Sequence, residues 1–234
     1  MSKLDAVFFD LDGTFIDSAP DFHRLVNQLR AQEGMQPIAY AALRPSVSHG
    51  GAAVIRSAFP ELSLSRQEQL LSWMLDEYAA NPVVDSQLFP GIQALLNWLE
   101  AHEITWGIVT NKPARYSQPI LEALKLTQRC HTLICPEDVS RTKPDPEGLF
   151  LACQQTRSRC EHSLYVGDHE RDIVAGRSAG MRTIAAGYGY LELGEDPLSW
   201  CSDFAVDCSQ QLLPLLDSLT SIGLSFSGEN IHKA

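Results

Sequence analysis

The sequence lacks a long hydrophobic run and a leader-like N-terminus. No apolar stretch approaches the roughly 20 residues that a transmembrane helix needs. The first apolar run, residues 6–9, is too short for the hydrophobic region of a signal peptide, and an aspartate follows it. We therefore expect a cytoplasmic protein that has no membrane partner.

Paired cysteines and an excess of basic residues are also absent. None of the six cysteines lies in a Cys-x-x-Cys pair, which argues against a zinc or thioredoxin-type site and favours reduced thiols. Lysine and arginine number 18 against 29 aspartates and glutamates, so the formal net charge is −11. Such a surface disfavours nucleic acid as a partner. A small phosphorylated substrate is compatible with it, because a metal ion and a few cationic side chains can reverse the potential inside a cleft.

The hydrophobic pattern predicts an α/β fold. Short apolar runs alternate with amphipathic helical segments, which is typical of a parallel sheet covered on both faces. Residues 18–87 instead show helical periodicity without strand alternation. We expect residues 1–17 and 88–234 to form the core, with 18–87 inserted as an all-helical cap. The expected strands cover about residues 6–9, 104–109, 132–135, 164–166 and 183–186.

The two ends of the cap's first helix can also be predicted. Ser18 can cap this helix at its start, and Gly34 follows its last apolar residue. At the other end of the chain, Ser225–Ala234 is polar, and we expect it to add little to the fold.

A pair of aspartates, Asp10 and Asp12, directly follows the first strand. Side chains at i and i+2 of an extended chain point to the same side, so both carboxylates can face one site. An ionised aspartate can attack phosphorus without a base, whereas a like charge nearby favours a proton on its neighbour. We expect Asp10 to be a nucleophile and Asp12 a general acid and base, with Gly13 allowing a sharp turn. The threonine and phenylalanine that follow do not fit a calcium loop.

Three further polar groups follow predicted strand ends, where α/β sheets bind their ligands. Thr110 and Asn111 can donate hydrogen bonds to phosphoryl oxygens, and Lys143 can supply positive charge. Asp168 is placed to bind a hard cation, and Asp172 can orient the metal ligands or Lys143 from behind. Taken alone, Thr110 and Asn111 are more typical of a turn or helix cap, and Lys143 of a solvated lysine, whereas Asp168 is equally typical of a helix cap. Their common placement favours a phosphate site.

Together the four groups resemble the four motifs of the haloacid dehalogenase-like hydrolase superfamily, in the same order. The resemblance covers about residues 5–220. It implies a Rossmann-like doubly wound core, a mobile helical cap, Mg²⁺ and a covalent aspartyl-phosphate intermediate. It also implies that Asp10, the backbone carbonyl of Asp12 and Asp168 hold the metal. The partner that it implies is a small phosphorylated metabolite, and we expect a monomer or a weak dimer.

Within the superfamily the chain is most similar to the phosphoglycolate phosphatase group. Residues 106–113, 133–136 and 187–190 resemble a bacterial branch that includes the N-acetylmuramic acid 6-phosphate phosphatase. The resemblance implies a small phosphate ester that carries a carboxylate, and it favours N-acetylmuramic acid 6-phosphate. A 2-phosphoglycolate phosphatase and, further off, a sugar phosphomutase are the alternatives.

Other activities fit the sequence less well. Dehalogenases of the superfamily lack the second carboxylate, which here is Asp12, and a non-catalytic binding protein would be expected to have lost a motif residue. Phosphonoacetaldehyde hydrolases use a cap lysine, but residues 18–87 hold five arginines and no lysine. Residues 176–180 match the Gly-x-Ser-x-Gly elbow of serine hydrolases, yet a helix precedes them and a strand follows, which is the wrong order.

The cap also contains a candidate specificity site. His49 and Gly50 precede a predicted helix that begins near Gly51, and its unhindered backbone N–H groups can bind an anion. Arg56, about one turn further on, can pair with a carboxylate. We expect His49, Gly50, Gly51 and Arg56 to form the specificity end of the cleft. A turn followed by a solvated arginine is the alternative.

Overall fold

A parallel sheet forms the centre of the protein. The computed structural model describes residues 3–221, so the expectation for Ser225–Ala234 lies outside the described residues. The strands are β1 (Ala6–Phe9), β2 (Ile16–Asp17), β3 (Gln87–Leu88), β4 (Thr105–Val109), β5 (Leu133–Ile134), β6 (Ser163–Gly167), β7 (Arg182–Ala186) and β8 (Phe204–Val206). Six of them pair in the order β5-β4-β1-β6-β7-β8, and every neighbouring pair in this sheet is parallel. The predicted α/β sheet is confirmed.

The central strand β1 is buried on both faces. Val7 and Phe9 belong to one apolar cluster, whereas Ala6 and Phe8 belong to another, as the alternation of side chains along a strand requires. Such continuous burial explains why β1 reads as an unbroken apolar run rather than as an alternating pattern.

Helices cover both faces of this sheet. They are α1 (Ala19–Gln32), α2 (Tyr40–Leu43), α3 (Gly51–Ala58), α4 (Leu64–Ala80), α5 (Ile92–Ala101), α6 (Ala114–Ala123), α7 (Glu147–Thr156), α8 (Glu170–Ser178) and α9 (Leu212–Ser221). Helices α5, α6 and α9 add apolar residues to the cluster around Phe9, and α7 and α8 add theirs to the cluster around Phe8. Because helices pack on both faces of the parallel sheet, the core is doubly wound. In the described part of the chain, no helix has the length and apolar character that crossing a bilayer requires.

The segment 18–87 contains α1 to α4, as the periodicity predicted. Its buried residues, such as Phe22, Met74 and Tyr78, belong to the same apolar cluster as Phe9 of the sheet. We call residues 18–87 the helical insert. Their separation from the core as a cap domain stays a prediction.

Two details of the insert differ from expectation. The side chain of Ser18 does not cap α1, because its hydroxyl donates a hydrogen bond to Asp12 Oδ1 at 2.5 Å instead. Where the insert begins and ends, β2 pairs antiparallel with β3. Neither this ribbon nor the edge strand β8 was expected, because two or three residues are too few to show a period.

Candidate active site

The predicted motif residues meet at one edge of the sheet. Asp10 follows β1, Thr110 follows β4 and Asp168 follows β6, and these three strands are neighbours in the parallel sheet. All three side chains are buried. The carboxyl ends of adjacent parallel strands point the same way, so residues far apart in sequence share one crevice.

Three carboxylates form a buried cluster in this crevice. Oxygens from Asp10, Asp168 and Asp172 lie within 4.8 Å of one another. Burial and the charges of Asp10 and Asp172 raise the pKa of Asp168 to about 8. Hard oxygen donors and unbalanced negative charge fit a divalent cation. The side chain of Asp12 lies outside this cluster, so any share of Asp12 in a metal site falls to its predicted backbone carbonyl.

The Asp168 carboxylate is held by its surroundings. Thr14 Oγ1 donates to Oδ1 at 3.1 Å, and the backbone N–H of Tyr190 donates to Oδ2 at 2.9 Å. A Cβ on Gly13 would lie 2.1 Å from Asp168 Oδ2, and a Cβ on Gly189 would lie 2.1 Å from its Cβ. Gly13 also has a φ of +81°, which confirms the predicted turn. Glycine is therefore required at both positions.

Lys143 lies between two of the clustered carboxylates. Its Nζ is 2.8 Å from Asp10 Oδ1 and 2.7 Å from Asp172 Oδ1. It also donates to the Tyr165 hydroxyl at 2.7 Å. Although burial opposes ionisation, the charges of Lys143 and Arg171 lower the pKa of Asp10 below its usual value. Asp10 is consequently ionised at neutral pH, as its predicted role of nucleophile requires.

Thr110 and Asn111 both take part in local hydrogen bonds. The Asn111 carboxamide donates to the Lys143 carbonyl at 3.0 Å and accepts from the Lys143 backbone N–H at 3.2 Å. Asn111 therefore holds the loop that carries Lys143, a role that the sequence did not indicate. Thr110 Oγ1 accepts from the Lys112 backbone N–H at 3.1 Å, which leaves its own proton available for a ligand.

Asp12 is paired with a lysine to which the sequence assigned no role. Lys112 Nζ lies 2.9 Å from Asp12 Oδ1 and 3.0 Å from Oδ2, and it donates to the Tyr78 hydroxyl at 3.0 Å. The ammonium also lies over the rings of Phe22 and Tyr78. Despite its burial, the charge of Asp12 raises the pKa of Lys112 above its ordinary value. Lys112 thus joins the predicted acid to the helical insert.

A cavity of about 420 Å³ lies between the strand ends and the insert. Asp10 and Asp12 line it, and so do His49, Gly50 and Gly51 of the predicted specificity set. His49 Nε2 is 3.0 Å from Glu192 Oε1.

The arginine that lines this cavity is Arg171 of α8 and not the predicted Arg56. Arg56 is exposed on α3 and does not line the cavity, whereas Arg171 does. Arg171 Nη2 donates to the Ser48 carbonyl oxygen at 2.7 Å. Its contact with the insert spans more than a hundred residues, so no short motif could reveal it.

Known proteins resemble this chain in sequence and in fold. The sequence model of a family described as "Haloacid dehalogenase-like hydrolase" matches residues 7–186. The N-acetylmuramic acid 6-phosphate phosphatase of Pseudomonas aeruginosa is 40% identical over 221 residues, which cover 92% of this chain and 96% of that protein. The phosphoglycolate phosphatase of Xanthomonas campestris pv. campestris is 42% identical over 207 residues, or 88% and 94% of the two chains. A crystal structure of a predicted phosphoglycolate phosphatase from Haemophilus somnus shares the fold, with a TM-score of 0.80, 24% identity and coverage of 92% and 99%.

Proposed function

Because this chain belongs to the haloacid dehalogenase-like hydrolase family, we propose that it is a Mg²⁺-dependent phosphomonoesterase that acts through an aspartyl-phosphate on Asp10. One observation carries this proposal. Asp10 is buried and ionised beside Lys143, at the bottom of a cavity that also exposes the carboxylate of Asp12. An ionised carboxylate in such a place is a nucleophile that needs no base.

In the first step, an Asp10 carboxylate oxygen attacks phosphorus and the bond to the ester oxygen breaks. For this step Asp12 must first hold a proton, which it gives to that leaving oxygen, so the alcohol departs neutral. In the second step, Asp12 takes a proton from water as the water oxygen attacks the phosphorus of the acyl phosphate. Inorganic phosphate and the Asp10 carboxylate result. Lys143 and the Thr110 hydroxyl offset the charge on the phosphoryl oxygens.

The carboxylate cluster supplies the metal site of this proposal. Asp10 and Asp168 would hold Mg²⁺ together with the predicted carbonyl of Asp12, and Asp172 would keep Lys143 and the cluster in place. When bound, the ion offsets the negative charge of the phosphoryl group.

The cavity favours a substrate larger than a two-carbon acid. Its volume of about 420 Å³ falls within the range of roughly 300–1,000 Å³ of sites that enclose drug-sized ligands. Phe22, Leu75 and Tyr116 give it an apolar wall, against which a sugar ring and its acetyl group can pack. Of the two activities named for its relatives, we therefore assign N-acetylmuramic acid 6-phosphate to this chain, with 2-phosphoglycolate as the alternative.

A side-by-side measurement of kcat/KM tests this assignment. Release of inorganic phosphate is followed for both esters, with Asp10→Asn as the blank for contaminating phosphatases. We expect the amino sugar ester to be preferred by at least about tenfold. A preference for 2-phosphoglycolate contradicts the substrate but leaves the phosphatase. Interconversion of sugar 1- and 6-phosphates without phosphate release would identify a phosphomutase.

A further inference from the structure

One charged side chain of the cavity is left incompletely paired by the protein itself. Arg171 lies in the first turn of α8, directly before Asp172, and is partly buried between the core and the insert. Its Nη2 is fixed on the Ser48 carbonyl oxygen at 2.7 Å. Its Nε–H is buried, yet no acceptor within residues 3–221 reaches it.

Such a buried donor requires a partner. Native proteins pair nearly all buried polar groups, so an unpaired group needs an explanation, such as a water molecule, an ion or a ligand atom. The other two cations at the site do not offer a free donor in this way: Lys112 is engaged by Asp12 and Tyr78, and Lys143 by Asp10 and Asp172. No carboxylate of the described residues forms an ion pair with Arg171. Arg171 is therefore the cavity cation that is available to an anion of the ligand.

The position of Arg171 indicates which anion this is. Lys143 and the carboxylate cluster surround the predicted nucleophile, so the transferred phosphoryl group belongs there. Nη2 of the Arg171 guanidinium is fixed on Ser48 of the insert, while the charge of the same group also lowers the pKa of Asp10. Arg171 and Ser48 both line the cavity, so this end of the guanidinium can contact a part of the substrate that lies on the insert side of the phosphoryl group.

We propose that Arg171 binds the carboxylate of the substrate and selects phosphate esters that carry an acidic group. This inference rests on the proposed function. A guanidinium suits a carboxylate, because its N–H groups can donate to both oxygens at once. An ester without the carboxylate leaves the Arg171 guanidinium without its anionic partner, which lowers its kcat/KM by about tenfold to a hundredfold.

Matched substrate pairs test the role of Arg171. N-acetylmuramic acid 6-phosphate is paired with N-acetylglucosamine 6-phosphate, which lacks only the lactyl ether that bears the carboxylate. 2-Phosphoglycolate is paired with ethyl phosphate, in which a methyl group replaces the carboxylate. The pair on which the enzyme is more active also identifies the source of the carboxylate. For each pair, kcat and KM are measured for the wild type, Arg171→Gln, Arg171→Lys and Arg177→Gln, an exposed arginine of the same helix.

We expect Arg171→Gln to lose about tenfold to a hundredfold in kcat/KM on the acidic ester, mainly through KM. The loss on its neutral partner should be clearly smaller, because only the charge that Arg171 contributes near Asp10 is removed there. Arg171→Lys should recover part of this loss, and Arg177→Gln should behave as wild type. Circular dichroism and melting curves are recorded to test whether the variants are folded. Binding of the products N-acetylmuramic acid and N-acetylglucosamine gives a second readout, in which only the acidic product should weaken with Arg171→Gln.

Several outcomes overturn the inference without touching the phosphatase assignment. The first is an equal loss of kcat/KM on both esters of a pair, which would place Arg171 on the phosphoryl group. The second is an Arg171→Gln variant that keeps the wild-type preference for the acidic ester. The third is a wild type that prefers the neutral ester. A folded wild type that hydrolyses no phosphate ester in the presence of Mg²⁺ overturns the proposed function itself, and the inference with it.

Discussion

At the scale of single residues, the reactive groups depend on the charges packed against them. Lys143 lies between Asp10 and Asp172, at 2.8 Å and 2.7 Å from their oxygens. If either Asp10 or Asp172 is replaced by asparagine, the carboxylate of the other still pairs with Lys143. The chemistry of Asp10 can therefore be removed without leaving a buried lysine unpaired.

Asp10→Asn should lose more than about a thousandfold in kcat, because an amide cannot attack phosphorus. Its far-ultraviolet circular dichroism should match the wild type. Asp12→Asn should lose about 10²–10⁴-fold, the usual contribution of a general acid. Near-normal turnover by folded Asp10→Asn would exclude the covalent mechanism.

Lys112→Met should lower kcat by about tenfold to a hundredfold on acidic and neutral esters alike, because it releases Asp12 from its contacts at 2.9 Å and 3.0 Å. Tyr78→Phe is the matched control, since it removes only the hydroxyl that Lys112 contacts and should have a smaller effect. Steady-state kinetics with several leaving groups measures both variants. A normal kcat in Lys112→Met would show that Asp12 needs no positioning by this lysine.

At the scale of the elements, one buried carboxylate joins the first helix of the insert to the segment before β3. Asp21 accepts from the backbone N–H groups of Val84, Asp85 and Ser86 at 3.1–3.2 Å and from Arg24 at 2.7 Å. Burial opposes its ionisation, but the hydrogen bonds from Ser86 and Arg24 lower the pKa of Asp21. Its charge therefore stabilises the fold above the unfolded pKa of about 3.9, and this stabilisation is lost as the pH falls through the lower folded value.

Asp21→Asn should cost about 1–3 kcal/mol in the free energy of unfolding at pH 7, and the cost should shrink towards pH 3. Denaturant titrations of wild type and variant at both pH values measure this difference. Asp85→Asn is the control, because that side chain is 46% exposed and pairs with Arg24 at the surface, so its change should stay within about 0.5 kcal/mol. A cost that is the same at both pH values would show that the charge of Asp21 is not its source.

At the scale of the whole molecule, the fold concentrates negative charge where the strands end. Asp10, Asp168 and Asp172 come from two neighbouring strands and the helix that follows, and they repel one another inside the protein. A cation that binds only the folded state offsets this repulsion and stabilises the entire fold.

Mg²⁺ at about a hundred times its Kd should add about 2.7 kcal/mol, which for a chain of this size raises Tm by roughly 5–10 °C. Activity should disappear with a chelator. Differential scanning calorimetry with and without Mg²⁺ measures the shift, and Asp168→Asn should largely abolish it. An equal shift in Asp168→Asn would place the ion elsewhere.

The sequence alone determined the architecture and predicted which polar residues meet at the strand ends, because both follow from local patterns. The apolar run Ala6–Phe9 marks a strand that is buried on both faces, and helical periodicity marks the insert. Polar residues directly after such strands, Asp10 and Asp168 among them, must meet because the ends of parallel strands meet.

Only the tertiary structure decided which side chains surround these groups. Lys112 reaches Asp12 across 100 residues, and Arg171 reaches Ser48 across 123. Arg56 has the right chemistry, yet it lies on the exposed side of its helix. Contacts of this kind depend on how the insert packs against the strand ends, and a short sequence pattern carries no information about the partner that another segment brings.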